Sequence, residues 1–460
     1  MQRAFSSLAS ARVAFRNAAA AAVLVAGAAA CGHTSGAAPD GGTAPADAAP
    51  LVGDAPEAGP TGCAAGAAGA ACVLDLYDRA AASCAAKDLA ALHGELDAHA
   101  NLGPLWSAQR ALFRTAAPAQ IAGTFDNWST SAIATAALCG DTTLIVGAGA
   151  VATGFHTYKL DTAGAWSLDP TNPAFAYDDF AGNADHRNSV LDTPDSGLGH
   201  LVTLGDACST TLGNCRTITA YLPPGYDAPA AAARTYPVLF MHDGQNVWDD
   251  HTCCFGHTGW EINVTLDTEI AAGRVAPVVV IAADNTTARN DEYGLTPATM
   301  DLFMDFQVHT LQPMALAKVR GDGARVAIAG SSLGGLVSMQ LALRYPDTYS
   351  AAASLSGAFW PGMDTHVALR DEIPGLGKQP LAIYIDHGGQ PSDDSDGAAD
   401  SIEVRDLLVA RGWTQETSPA CTRGDDALCY HWEPDATHDE LAWKARAWRF
   451  LRYLFPVATP

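Results

Sequence analysis

From residue 198 onward, short and nearly continuous apolar runs alternate with longer stretches of helical spacing. The runs lie at 218–222, 238–241, 278–282, 326–329, 352–355 and 381–385. Their Val, Ile and Ala content without regular polar alternation predicts strands covered on both faces. Strands of that kind, divided by helices, predict a mostly parallel sheet flanked by helices over residues 198–460. Functional groups in such sheets gather at the C-terminal strand ends. Two other patterns precede this region. Leu74, Leu76, Leu89, Leu92 and Leu96 recur near the helical period, so residues 63–116 read as a packed helical segment. Residues 117–192 instead alternate aromatics with Gly, Asn and Asp turns, as in Tyr158-Lys159-Leu160 after Gly154-Phe155-His156. That alternation predicts a small β-sandwich, with Trp128 and Trp166 filling its core in preference to stacking on sugar rings.

The first sixty residues carry neither pattern. Arg3, Arg12 and Arg16 precede the apolar, Ala-rich stretch 18–30, which is too short to be a stable membrane span. Residues 1–30 therefore read as an export signal. It ends in Ala28-Ala29-Ala30-Cys31, small residues before a lone Cys, which resembles a bacterial lipobox with Cys31 as the lipid attachment point. Ala28 stands where such sequences prefer Leu. Residues 31–62 are mostly Ala, Gly, Pro, Thr and Asp, cannot bury a core, and read as a disordered tether. Membrane contact is expected through that lipid alone.

The chain has 11 Cys, so ten remain once Cys31 is set aside. An even number in an exported chain predicts disulfides. Cys208 with Cys215 and Cys421 with Cys429 are the close pairs. Cys63, Cys72, Cys84 and Cys139 supply two more bridges. Adjacent Cys253 and Cys254 would make a strained one. The formal charge of −24 argues against a nucleic-acid partner. Acidity says nothing further about substrate, and oligomeric state stays open.

The chemistry is concentrated in Gly330-Ser331-Ser332-Leu333-Gly334. A β-prone run precedes it and a helical run follows it, so the Gly-x-Ser-x-Gly spacing falls on a strand–turn–helix corner that presents Ser332 at its apex. A serine hydroxyl needs a base to become a nucleophile. Of the 14 His, His438 lies between the last strand-like run and the last helix, where the order Ser, acid, His would place it. His431 reads as structural and His242 as a weaker alternative. The orienting acid should follow the run 381–385. Asp394 is the first choice there, with Asp393 and Asp386 as alternatives and the remaining loop carboxylates as a solvated turn. The Leu333 N–H and the Gly244 and Gln245 N–H groups are candidate oxyanion donors. Arg289 and Trp360 are candidate substrate contacts, and a structural ion pair at Arg289 is an equal alternative. This set needs no metal and no cofactor.

These residues carry a resemblance. His242-Asp243-Gly244-Gln245-Asn246, Asp284-Asn285-Thr286, Arg289 with Asp291-Glu292-Tyr293, the Ser332 motif, and Ser354-Leu355-Ser356-Gly357-Ala358-Phe359-Trp360 occur in one order. Together they resemble the putative-esterase family of α/β-hydrolases, which includes enterochelin esterases, esterase D, feruloyl esterases and mycolyltransferases. Gly123-x-Phe125-x-x-Trp128, Tyr158-Lys159-Leu160 and Trp166-x-x-Asp169-Pro170-x-Asn172 are similar to the immunoglobulin-like domain of enterochelin esterases and to glycogen-binding modules. The resemblance implies an α/β-hydrolase fold and a serine hydrolase that cleaves a carboxylic ester through an acyl-enzyme. A small-molecule or glycan ester (siderophore, feruloyl or acyl-glycan) is the implied substrate. Transfer of the acyl group to a sugar, or a non-catalytic binding lipoprotein on the same scaffold, are the alternatives.

Overall fold

A computed structural model describes residues 62–64, 69–100, 103–130, 132–178, 180, 186–253, 258–360, 369–392, 395–417 and 421–457. The export signal, Cys31, the tether, Cys254, Asp393 and Asp394 lie outside these residues.

Eight strands build the C-terminal half: β1 (His200–Ser209), β2 (Asn214–Leu222), β3 (Tyr236–Met241), β4 (Val279–Ala283), β5 (Gly321–Ser331), β6 (Ala351–Leu355), β7 (Ala382–His387) and β8 (Ala427–Trp432). Their spatial order is β1-β2-β4-β3-β5-β6-β7-β8, with a short edge strand Thr414–Thr417 beyond β8. From β4 to that edge every pairing is parallel, while β1 and β2 form an antiparallel hairpin that joins β4 antiparallel. This is an α/β fold with the strand order of an α/β-hydrolase. The six apolar runs all fall within β2 to β7. β1 has no such run, because Thr203, Gly205 and Asp206 interrupt it. Its partner strand and the Cys208–Cys215 bridge close the hairpin, with Cys208 directly opposite Cys215.

Apolar layers cover both faces. Helix Leu333–Arg344 is buried along Leu333 to Leu343, which explains why its sequence has no polar face. On the other face, helices Ile262–Ala271 and Glu440–Leu454 pack over Leu239, Val280, Ala327 and Tyr384. The α/β expectation therefore describes the fold. Because the strands are parallel, their C-terminal ends all open on one edge, and that edge carries Met241, Ser331 and His387.

The N-terminal half departs from its expected boundaries. Helices Ala70–Ser83 and Ala86–Ala98 form as the leucine spacing predicts, but the same segment ends in two strands, Leu105–Ser107 and Arg110–Arg114. Alternation decides this: Leu112 faces the helices with Val73 and Leu92, while Phe113 faces the other way and meets Tyr158 at a ring separation of 5.3 Å. The two strands pair with Asp141–Ala150 and Ala136–Leu138 in a four-stranded sheet, which packs face to face on a second layer. That second layer is not separate from the C-terminal half. Strand Ala174–Tyr177 pairs with β1 through Phe175 and Leu201, so one hydrogen-bonded sheet of 15 strands runs across the expected boundary at 192–198. Trp128 and Trp166 also differ from expectation. They are 37% and 47% exposed and lie beside one another on the surface, so neither fills the core.

Four disulfides are present among the described residues, Cys63–Cys72, Cys84–Cys139, Cys208–Cys215 and Cys421–Cys429. Cys253 is buried. No helix among the described residues is long and apolar enough to cross a membrane.

Candidate active site

β5 ends at Ser331 and the next helix begins at Leu333, so Ser332 must reverse the chain by itself. Its φ of 54° and ψ of −125° lie where L residues rarely go. Small neighbours make the corner possible. A Cβ on Gly330 would stand 2.6 Å from the Gly334 carbonyl carbon, and one on Gly335 would stand 2.6 Å from Ser354 Oγ. The glycine spacing is thus a steric requirement of the turn. Gly330→Ala should destabilise the fold by about 1–3 kcal/mol through this overlap. A thermal melt reads it, and an unchanged melting temperature would show that the corner relaxes freely.

The corner brings Ser332 to the two loops at the far end of the sheet. Ser332 Oγ lies 2.9 Å from His438 Nε2, and His438 Nδ1 lies 2.6 Å from Asp396 Oδ1. Protonation follows from the partners. An ionised carboxylate can only accept, so Nδ1–H donates to Asp396 and Nε2 is left to accept the Ser332 hydroxyl. Burial opposes the charge on Asp396, but hydrogen bonds from His438, Ser356 and the Gly388 N–H outweigh it and hold the carboxyl below its ordinary value. The Asp396 side chain is 2% exposed and that of His438 34%, so the acid is dry while the base can be reached.

The acid expected at Asp394 must be corrected. Asp394 and Asp393 lie outside the described residues, and the carboxylate on His438 is Asp396, two positions later. Asp396 sits at φ 59° and Gly397 at φ 63°, just before helix Ala398–Ala410, so this left-handed turn aims the side chain at the imidazole. Asp386 is excluded by its own partners, since it lies in β7 fully buried against Arg446 and accepts the Tyr384 hydroxyl at 3.0 Å.

Leu333 opens its helix, so its N–H has no intrahelical acceptor and stands beside Ser332 at the positive end of the helix dipole. The loop after β3 meets the same corner. A Cβ on Gly334 would lie 3.1 Å from Asp243 Oδ2 and 3.3 Å from His242 Cβ. Asp243 is left-handed at φ 59° and leads into the single turn Gly244–Asn246. Gly244 is tight against the end of β4, where a Cβ would come 2.6 Å from the Ala283 carbonyl carbon. The Gln245 side chain accepts the Asn285 N–H at 2.9 Å.

Arg289 does not stand free to meet a ligand. It pairs with Asp243 through two hydrogen bonds of 2.6 and 2.7 Å, and Asn285 adds a third at 2.6 Å. Burial opposes ionisation of Asp243, and the Arg289 and Asn285 contacts overcome it. Arg289 therefore braces the loop that carries Gly244 and Gln245. Arg289→Ala leaves Asp243 charged, buried and short of its cation, a change that costs about 3–5 kcal/mol for buried pairs. The expected result is a lower melting temperature together with slower turnover; a normal melt and rate would show that the brace is dispensable.

Trp360 stands edge-on to His438 at a ring separation of 6.0 Å, and Trp443 does so at 5.1 Å. His242 is buried against Tyr293 and Phe303, and burial pushes its pKa down to about 4, so it stays neutral, while the Ser332 hydroxyl is paired with His438. His431 lies in β8 against Glu433.

Comparison with known proteins places the chain in a family. The family model described as "Putative esterase" matches residues 209–451. The chain belongs to the putative-esterase family. An iron(III) enterobactin esterase of Dickeya dadantii is 28% identical over 247 residues, covering 50% of this chain and 52% of that protein. An endo-1,4-beta-xylanase/feruloyl esterase of Xylanibacter ruminicola is 27% identical over 218 residues, covering 45% of this chain and 27% of that protein. The chain thus spans about half the length, or less, of these two curated relatives. Among solved structures, the ferric enterobactin esterase of Salmonella typhimurium superposes with a TM-score of 0.40 at 18% identity, over 76% of this chain and 96% of that one.

A cleft of about 280 Å³ opens beside the Gln245 loop of this esterase-family domain. Its walls include Phe175 and Tyr177 from the N-terminal half and Thr203, Thr219, Trp248 and Asp284 from the C-terminal half. Burial, with Asp206 adding repulsion, pushes the Asp284 carboxyl up from 3.8 to about 7. The folded chain then keeps a proton that the unfolded chain releases from about pH 4 upward, so this group's stability contribution falls as pH rises from about 4 to about 7. Asp284→Asn should raise the melting temperature above neutrality and change little near pH 4. Equal shifts at both ends of that range would contradict the assignment.

Sequence reasoning also passed over Ser356, Trp443 and Arg446. Ser356 was visible only as part of an ordered motif. Trp443 and Arg446 carried no local signal, because their relation to Asp396 arises from packing of the last helix.

Proposed function

We propose that this chain hydrolyses a carboxylic ester through an acyl-enzyme. The Ser332–His438–Asp396 hydrogen-bond chain carries the reading, supported by family membership. Ser332 Oγ attacks the ester carbonyl as His438 Nε2 takes its proton. The Leu333 N–H, with the Gly244 and Gln245 loop, stabilises the negative oxygen that forms. Collapse breaks the bond to the alcohol, which leaves with the proton from His438. Water then repeats the cycle on the acyl-serine, with His438 as base, and frees the acid and Ser332. Asp396 holds the imidazole in one tautomer and stabilises its charged form.

The named activities of the relatives support a siderophore ester of the enterobactin kind or a feruloyl ester as substrate, with an acyl-glycan as a third candidate from the family resemblance, reached beside Trp360. Export fits the four disulfides, which persist in oxidising compartments, and anchoring would run through Cys31. A panel of p-nitrophenyl butyrate, feruloyl, catecholate and acetyl-sugar esters tests the activity, ranked by kcat/KM. Hydrolysis of at least one, absent from the Ser332→Ala variant, is the expected outcome. Equal background rates for both proteins on every ester would refute it.

A further inference from the structure

The hydrogen-bond chain does not end at Asp396. Ser356 donates from Oγ to Asp396 Oδ2 at 2.6 Å. Ser356 Oγ itself accepts from Trp443 Nε1 at 3.0 Å and from Arg446 Nη2 at 2.7 Å. Ser356 is 0% exposed and Arg446 2%. Four separate elements converge there: the turn after β6, the end of β7, the Asp396 turn and the last helix.

A hydroxyl has one proton to give and two lone-pair sites. Trp443 and Arg446 can only donate, and between them they fill both sites. The Ser356 proton is left with one direction, toward Asp396. Oδ2 of Asp396 then holds both the Ser356 hydroxyl and the Gly388 N–H, the latter at 2.5 Å, so Oδ1 is the oxygen left for His438. The backbone is set for the same purpose. Ser356 is left-handed at φ 47°, as Asp396 is at φ 59°, and Ser356 N–H is tied to the Asp386 carbonyl at 2.9 Å.

Arg446 shows where its guanidinium is directed. Its Nε lies 3.0 Å from Asp386 Oδ2 as an ion contact, and among the described residues neither Nε nor Nη1 has a well-formed hydrogen bond. Its aligned hydrogen bond is the one to Ser356. Burying a guanidinium with two of its three nitrogens lacking a well-formed hydrogen bond is costly, so stability alone is a weak reason for this arrangement.

We propose that Ser356, oriented by Arg446 and Trp443, is a positioning residue that locks the Asp396 carboxylate for His438. Asp386 supplies the countercharge that keeps Arg446 in place. This rests on the esterase reading above, because it assigns these residues a task in that reaction.

The test compares wild type with Ser356→Ala, Ser356→Gly and Trp443→Phe. Glycine tolerates φ 47°, so Ser356→Gly removes the hydroxyl without backbone strain. Three readouts are needed: kcat and KM with p-nitrophenyl butyrate, the thermal melt, and the far-downfield proton resonance of His438 Nδ1–H. For both Ser356 variants kcat should fall by about 10- to 100-fold while KM stays within about twofold, the range seen when supporting residues behind a site are removed. The Nδ1–H resonance should move upfield or broaden in a protein that still melts cooperatively. Trp443→Phe frees one lone-pair site and should lie between these variants and wild type. A folded Ser356→Gly protein with wild-type kcat and an unmoved resonance would overturn the positioning role and leave the esterase reading standing. Loss expressed wholly in KM would overturn it too. A wild-type protein that neither turns over nor shows the resonance would remove the esterase reading and this role together.

Discussion

Ser332→Ala should abolish ester hydrolysis, with kcat falling by about 10⁶-fold, the scale on which serine hydrolases lose rate when the nucleophile is removed. The variant keeps a Cβ, so the corner at φ 54° and the helix behind it should be unchanged. Its melting temperature should match wild type. What remains should be what the proposed Leu333 and Gly244 donors and the pocket contribute without a nucleophile, which for such sites is about 10³–10⁴ over water. The comparison isolates one oxygen atom. A variant that kept even a tenth of the wild-type rate would mean that another group attacks the ester.

The second large effect separates two carboxylates in the same loop. Asp396→Asn should lower kcat by about 10⁴-fold. The volume barely changes, but an amide can turn its NH₂ toward His438 Nδ1. The imidazole then carries its proton on Nε2 and can no longer accept from Ser332, although its position is kept. Asp394→Asn should leave kcat within about twofold, since Asp396 already supplies the carboxylate on His438 Nδ1. If instead the Asp394 variant were the crippled one, the acid would have been assigned to the wrong residue. If neither mattered, the site would run on Ser332 and His438 alone.

The contrast between these two positions shows what the chain discloses and what it withholds. Ser332 is legible because its corner is local. Gly330 and Gly334 are separated from it by fixed steps, and the steric need that selects them acts over five residues. His438 is nearly as legible, since it follows the last strand in an order set by topology. The acid is different. From the end of β7 into the helix that follows, the chain offers Asp386, Asp393, Asp394, Asp396 and Asp400. Which one meets a residue 42 positions away depends on a left-handed turn at Asp396 and Gly397 that has no unique sequence mark. The role of Arg289 is open in the sequence for a related reason. A cation near a strand end looks alike whether it waits for substrate or braces Asp243, and only the fold brings the carboxylate beneath it.

The sheet shows the same division. Runs such as 278–282 and 326–329 are continuous in apolar side chains because helices cover both faces, and this can be read directly. The segment 105–114 could not be read that way. Its strands are too short for period 2 to stand out from the helical spacing before them. Trp128 and Trp166 sit on strands or turns as expected, yet alternation does not reveal which face of a strand is covered. Nor does composition show that strand Ala174–Tyr177 hydrogen-bonds to β1, which merges two expected domains into one sheet.

The most direct test of the assembled site is covalent. The protein is treated with a fluorophosphonate, digested and mapped by mass spectrometry, beside a His438→Ala variant. The account predicts one adduct, on Ser332, formed quickly in wild type and barely at all without His438. An unlabelled Ser332, or labelling that proceeds equally well when His438 is gone, would contradict it.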